Sequence, residues 1–106
     1  MKKSRRKIDL KKVKAEYVKQ HTIYHMNDKS RDNFNKLLGK RLKFGRVARG
    51  MTQTKVARQI GVTFQQVQKY EKGDNETSSF RLIQFAGALG TSVKWILKPI
   101  IHKEVW

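Results

Sequence analysis

Residues 53–73, Gln-Thr-Lys-Val-Ala-Arg-Gln-Ile-Gly-Val-Thr-Phe-Gln-Gln-Val-Gln-Lys-Tyr-Glu-Lys-Gly, constrain the fold more than any other stretch. Val56, Ala57 and Ile60 form the inward stripe of a short helix over about 53–60. Gly61 ends it, because glycine tolerates the left-handed backbone that closes a helix. Thr63 is placed to cap a second helix that runs to about Lys72 and stops at Gly73. The stretch therefore reads as two short helices joined by a tight turn.

On a helical wheel with Val67 at the origin, Phe64, Thr63, Tyr70 and Glu71 share its side. Gln65, Lys69 and Lys72 lie opposite, flanked by Gln66 and Gln68. One side is core and the other a row of amides and ammoniums. A glutamine amide can bond bidentately to adenine N6 and N7, and a lysine can take guanine or a phosphate. A solvated helix face has the same composition, so the face by itself does not decide. The short preceding helix, the tight turn and the charge of the chain favour nucleic acid.

That charge is +17, from 25 Lys and Arg against 8 Asp and Glu. It divides as +7 over residues 1–33 and +10 over residues 34–106, so the globular part is itself basic. Such a surface attracts polyanions. A chain of 106 residues has room for one domain with tails. It has no cysteine, which excludes disulfides and thiolate metal sites. No secretory signal and no run of membrane-spanning length is evident, so the expected location is the cytoplasm and no membrane partner is expected.

The flanks add further helices. Residues 1–33 form a basic N-terminal arm, with Lys2, Lys3, Arg5, Arg6 and Lys7 at its start. It holds a potential amphipathic helix that opens at Asp9 and carries Leu10, Val13 and Tyr17 at i, i+3 and i+7. Residues 20–33 are polar and read as a linker. His21 and His25 stand four apart, but a closed zinc site needs four ligands, and no metal or cofactor is expected. Phe34, Leu37, Leu38, Leu42 and Val47 give a helical stripe that ends near Gly50, with Gly45 a candidate for close helix packing. Thr52 is placed as a cap and Met51 points inward. Ser78 or Ser79 caps a helix that buries Leu82, Phe85, Ala86 and Leu89. Thr91 or Ser92 opens a last helix with Val93, Trp95, Ile96 and Leu97, which Pro99 is expected to stop. The expected architecture is all-α, five short helices over 34–98, with an apolar tail over 99–106.

This pattern resembles the helix-turn-helix of the phage-repressor and Cro family, the Xre-type regulators. That unit opens with Gln, has a small residue at its fifth position and Gly at its ninth, and carries a branched apolar residue inside its second helix. Gln53, Ala57, Gly61 and Val67 match it. The flanks from Leu42 to Met51 and from Phe80 to Leu97 match as well, so the resemblance covers about residues 36–97. It implies a compact lambda-repressor-like domain. It implies that Gln53 touches a phosphate and orders the first recognition residue, that Thr63 touches a phosphate, that Gln65 and Gln66 read bases, and that Lys69 takes a base or phosphate. Lys72 lies at the edge of that surface. Arg46 and Glu71 correspond to a partly buried ion pair, and Trp95 to a packing residue. Phe64 departs from members that have a polar base reader there. Inward packing is the expectation from the wheel, and contact with a thymine methyl is the alternative.

The function implied is sequence-specific binding of double-stranded DNA by a transcriptional regulator, as a homodimer whose contact lies near residues 89–106. No Ser/His/Asp set, phosphate-binding glycine loop or paired carboxylates suggests an enzyme. Two other readings remain: an antitoxin that uses the same fold and holds a toxin protein with residues 1–33 or 98–106, and a nucleic-acid-binding protein without sequence readout. An acidic tail would suit a toxin inhibitor better, and no exposed aromatic row offers base stacking.

Overall fold

The computed structural model describes residues 9–13 and 28–101. Five helices follow one another: α1 (Asp28–Ala48), α2 (Gln53–Ile60), α3 (Phe64–Lys72), α4 (Ser79–Ala88) and α5 (Val93–Ile101). Residues 10–13 are also helical. There the Asp9 carboxylate accepts from the Lys11 and Lys12 amides, as an N-cap does. The basic arm, Tyr17, His21, His25 and Trp106 lie outside the described residues.

Each later helix starts at a hydroxyl cap. Thr52 accepts from the Lys55 amide, Thr63 from Gln66, Ser78 from Arg81 and Ser92 from Trp95, all at 3.0–3.1 Å. Each bond engages a first-turn amide that lacks the carbonyl four residues earlier as a helical partner, and the Gln66 amide also reaches the Thr63 carbonyl at 3.1 Å. At the turn between α2 and α3, Gly61 has φ +76° and its amide bonds back to the Ala57 carbonyl. A side chain there would be strained.

All five helices supply the core. It joins Leu38 and Leu42 of α1, Val56, Ala57 and Ile60 of α2, and Val67 and Tyr70 of α3 to Leu82, Phe85, Ala86 and Leu89 near α4 and Ile96 and Ile100 of α5. The Tyr70 and Phe85 rings meet edge to face with centroids 5.6 Å apart. Helix α1 packs on both α3 and α5, and α2 packs on α3 and α4.

Two glycines let α1 and α3 approach backbone to backbone. A methyl group on Gly39 would stand 2.5 Å from the Tyr70 carbonyl oxygen and 2.7 Å from the Glu71 carbonyl carbon. One on Gly73 would meet the Lys36 backbone at 2.7 Å. Gly45 is the third close contact on α1, against Leu89 and Trp95.

Three expectations fail here. Helix α1 starts at Asp28, not near Phe34, so residues 28–33 are not linker. They contain no Gly or Pro to break the helix, and it propagates back from its packed part through Asp28, Ser30, Asp32 and Asn33, residue types that on their own favour caps and turns. Val47 is 57 % exposed, not core. The inward row Leu38 and Leu42 continues at i+7 through Gly45, which turns Val47 away. Pro99 does not stop α5 but lies inside it, fully buried. Proline deprives the carbonyl four residues earlier of its donor. That carbonyl belongs to Trp95, and Arg41 of α1 donates to it from Nε at 3.2 Å and from a terminal nitrogen at 3.0 Å. The guanidinium also lies 3.4 Å from the Trp95 ring centroid, a cation–π stack. Its burial lowers the Arg41 pKa, which still leaves it charged at neutral pH.

Alanine at two helical glycines should therefore act in opposite directions. Gly39→Ala should destabilise by about 1–3 kcal/mol, because the added methyl drives α1 from α3. Gly87→Ala, which meets open space, should stabilise by up to about 1 kcal/mol. Urea unfolding of both variants checks the signs.

Candidate nucleic-acid interface

Helix α3 is two-sided. Val67, Tyr70 and Glu71 are buried. Gln65, Lys69 and Lys72 are exposed, and Gln66 and Gln68 are half-buried at the flanks. Phe64 is 42 % exposed, contrary to the expected inward packing. The nearby Val62 packs against the core. Phe64 is the first residue of α3, and no preceding turn of helix covers its ring.

The buried side of α3 is fixed by charge. Arg46 Nε donates to Glu71 Oε2 at 2.6 Å, and a terminal nitrogen donates to Oε1 at 3.0 Å. Only 12 % of the Arg46 side chain and 4 % of the Glu71 side chain are exposed. The other terminal nitrogen of Arg46 donates to the Met51 carbonyl at 2.8 Å. Gln53 completes the cluster, donating from Nε2 to Glu71 Oε1 at 3.0 Å. The carboxylate thus accepts three bonds, which offsets the cost of taking it out of water. The end of α1, the turn after it, the first residue of α2 and the end of α3 are tied at one point.

The resemblance implied that the Gln53 amide orders the first recognition residue; in the free protein one of its two amide hydrogens goes to Glu71. One amide hydrogen and the backbone N–H at the first position of α2 remain for an outside acceptor. The Thr63 hydroxyl accepts from Gln66 as the α3 cap, which leaves its own hydrogen free to donate. Beside it, the unsatisfied amides of the first turn and the helix dipole favour an anion.

Two supports were not expected. Arg81 of α4 donates at 3.1 Å to the Ile60 carbonyl at the end of α2, and at 2.6 Å to Gln84 Oε1. A cation thereby closes the carbonyl end of the helix that precedes the turn. Gly39 brings α1 onto the Tyr70 and Glu71 carbonyls. A glycine in mid-helix was its signal in the sequence. The target of Arg81 has no sequence signal, since 21 residues separate donor and acceptor.

The chemistry is that of a binding surface. Exposed amides and ammoniums stand on one face of a short helix, with anion-suited amides at its start. Among the described residues no group of three or more His, Cys, Asp or Glu could hold a metal ion. Among them also, no helix is long and apolar enough to cross a membrane.

Residues 42–96 match the helix-turn-helix family. The chain belongs to that family, in its phage-repressor and Cro-like branch, whose members are DNA-binding regulators and not enzymes. An uncharacterised HTH-type transcriptional regulator of Sinorhizobium fredii is 41% identical over 66 residues, covering 62% of this chain and 46% of the relative. An uncharacterised transcriptional regulator in the ATPase CF(0) region of Rhodospirillum rubrum is 40% identical over 63 residues, 59% of this chain and 58% of the relative. The chain spans about half the length of these curated relatives. Among solved structures, the clp gene regulator ClgR from C. glutamicum superposes with a TM-score of 0.60 at 31% identity, over 61% of this chain and 84% of that one. The restriction-modification controller protein C.AhdI from Aeromonas hydrophila superposes with a TM-score of 0.56 at 26% identity, over 57% and 92%.

Removing either partner of the buried pair strands the other charge. Arg46→Ala and Glu71→Ala should each cost about 3–5 kcal/mol. Gln53→Ala, which deletes one bond to a carboxylate that keeps two, should cost about 1 kcal/mol. Urea unfolding of the three variants checks that order.

Proposed function

We propose that this chain is a transcriptional regulator that binds double-stranded DNA sequence-specifically, as a homodimer on a near-palindromic operator. The observation that carries the reading is the two-sidedness of α3. Its buried side is locked to α1 and α2 through Glu71, and its exposed side presents Gln65, Lys69 and Lys72. A helix held in this way can enter the major groove with its first residues at the base edges.

In this reading Gln65 and Gln66 read bases, and their amides suit adenine. Lys69, one turn on, takes a base or a phosphate, and Lys72 takes a phosphate at the edge. Thr63 and Gln53 bind phosphates at the starts of α3 and α2 through the donors left to them. These contacts position the domain and carry no sequence information, whereas the glutamines supply it. The charge of +17 adds salt-dependent attraction for any duplex.

A dimer places two α3 helices about 34 Å apart, one turn of DNA. The contact lies near α5 and the residues after it, within 89–106. Apolar surface on that side supports this: Phe44 is 56 % exposed and stacks on Trp95 with ring centroids 6.1 Å apart. The names of the relatives agree with a regulator, and a protein of this kind works in the cytoplasm.

Selection from random duplexes tests the reading. A regulator should enrich a palindromic motif and bind it at least about 10³-fold more tightly than a scrambled copy. No enriched motif, with equal salt slopes on both duplexes, would sink it. On the selected site, Gln65→Ala should relax the preference at one base pair, while Lys72→Ala should weaken all sequences alike.

A further inference from the structure

We propose that Phe64 is a specificity residue, which recognises thymine through its 5-methyl group at the leading end of α3. This deepens the reading of α3 as the DNA-recognition helix and rests on it.

Phe64 stands at the point of α3 that a groove-entering helix brings to the base edges. It is the first residue after the Thr63 cap, next to exposed Gln65. Phe64 is 42 % exposed, one of the large apolar residues that the fold leaves at the surface. The ring has no hydrogen-bonding group, so it cannot select among the donors and acceptors of the major groove. The apolar group there is the thymine 5-methyl, and an apolar side chain distinguishes thymine by covering it. The contact removes both apolar surfaces from water, a gain that neither makes when the helix is free. A phenylalanine also loses little on ordering, having two side-chain torsions.

The pairing with Gln65 gives the contact a sequence meaning. A glutamine amide suits adenine N6 and N7, and the ring suits a thymine methyl. Adjacent on one turn, they favour A·T pairs at the part of each half-site beneath the start of α3. Neither demands guanine or cytosine.

The test uses duplexes selected by the full chain from random sequence. Each thymine is replaced in turn by deoxyuridine, which pairs in the same way and lacks the methyl. One thymine per half-site should respond, with binding weakened about four-fold for each methyl removed. In F64A, whose melting temperature should stay within about 2 °C of the parent because the ring is exposed, the same replacement should have no effect. F64L should keep a preference for the methyl. No sensitivity at any thymine overturns the proposal, as does the same sensitivity in F64A. Unfolding of F64A, or a change of its oligomeric state without DNA, also overturns it, by giving the ring a packing or protein-contact role. The two readings fail differently. Absence of any enriched motif removes the regulator reading and this proposal with it, while a motif indifferent to thymine methyls removes only the role of Phe64.

Discussion

Glu71 is a carboxylate on the inner side of the helix that has to face outward. Its side chain is 4 % exposed, and a charge so buried would be costly without partners. It has three donors, two from Arg46 and one from Gln53. Arg46 reaches it from α1 and also holds the Met51 carbonyl in the turn that leads to α2. The rotation of α3 about its own axis is thereby fixed. An apolar contact at that point would hold α3 against the core but would tolerate sliding. The bidentate bond sets both distance and angle. The exposed residues of α3 inherit that precision.

Around this point the scaffold brings backbones close and satisfies the groups left over. Gly39 and Gly73 let α1 and the end of α3 touch without side chains between them. Arg41 supplies the donors that Pro99 withholds from the Trp95 carbonyl, and α5 runs on against α1. Arg81 closes the end of α2 just before the turn at Gly61. In the last two cases an arginine on one helix bonds a main-chain carbonyl in another segment. These cations are structural, and the arginines that brace the domain are distinct from the lysines at its presented face.

Much of this was legible in the sequence because it depends on local rules. Thr52, Thr63 and Ser78 cap their helices at spacings that the chain itself displays, and Gly61 turns where a left-handed residue is needed. The inward sides of α2 and α3 follow from periodicity. So does the burial of Glu71, since the wheel sets it beside Val67. The same wheel misplaced Phe64. Its angular position borders the core side, but at the first position of a helix the neighbouring turn that would cover it is absent. Val47 failed for a related reason. A glycine at position 45 occupies the inward place, and a stripe read from apolar residues alone passes over it. The early start of α1 and the passage of α5 through Pro99 were hidden because one rests on a polar stretch with no breaker and the other on an arginine 54 residues away.

The central claim is that a locked α3 presents its outer side to DNA. The most direct measurement is a crystal structure of the chain on its selected duplex. The start of α3 should lie in the major groove, with Phe64, Gln65 and Gln66 at base edges, Thr63 and Gln53 at phosphates, and Glu71 still bridged to Arg46. A complex in which α3 faces away from the groove, or in which Glu71 leaves Arg46, would contradict it.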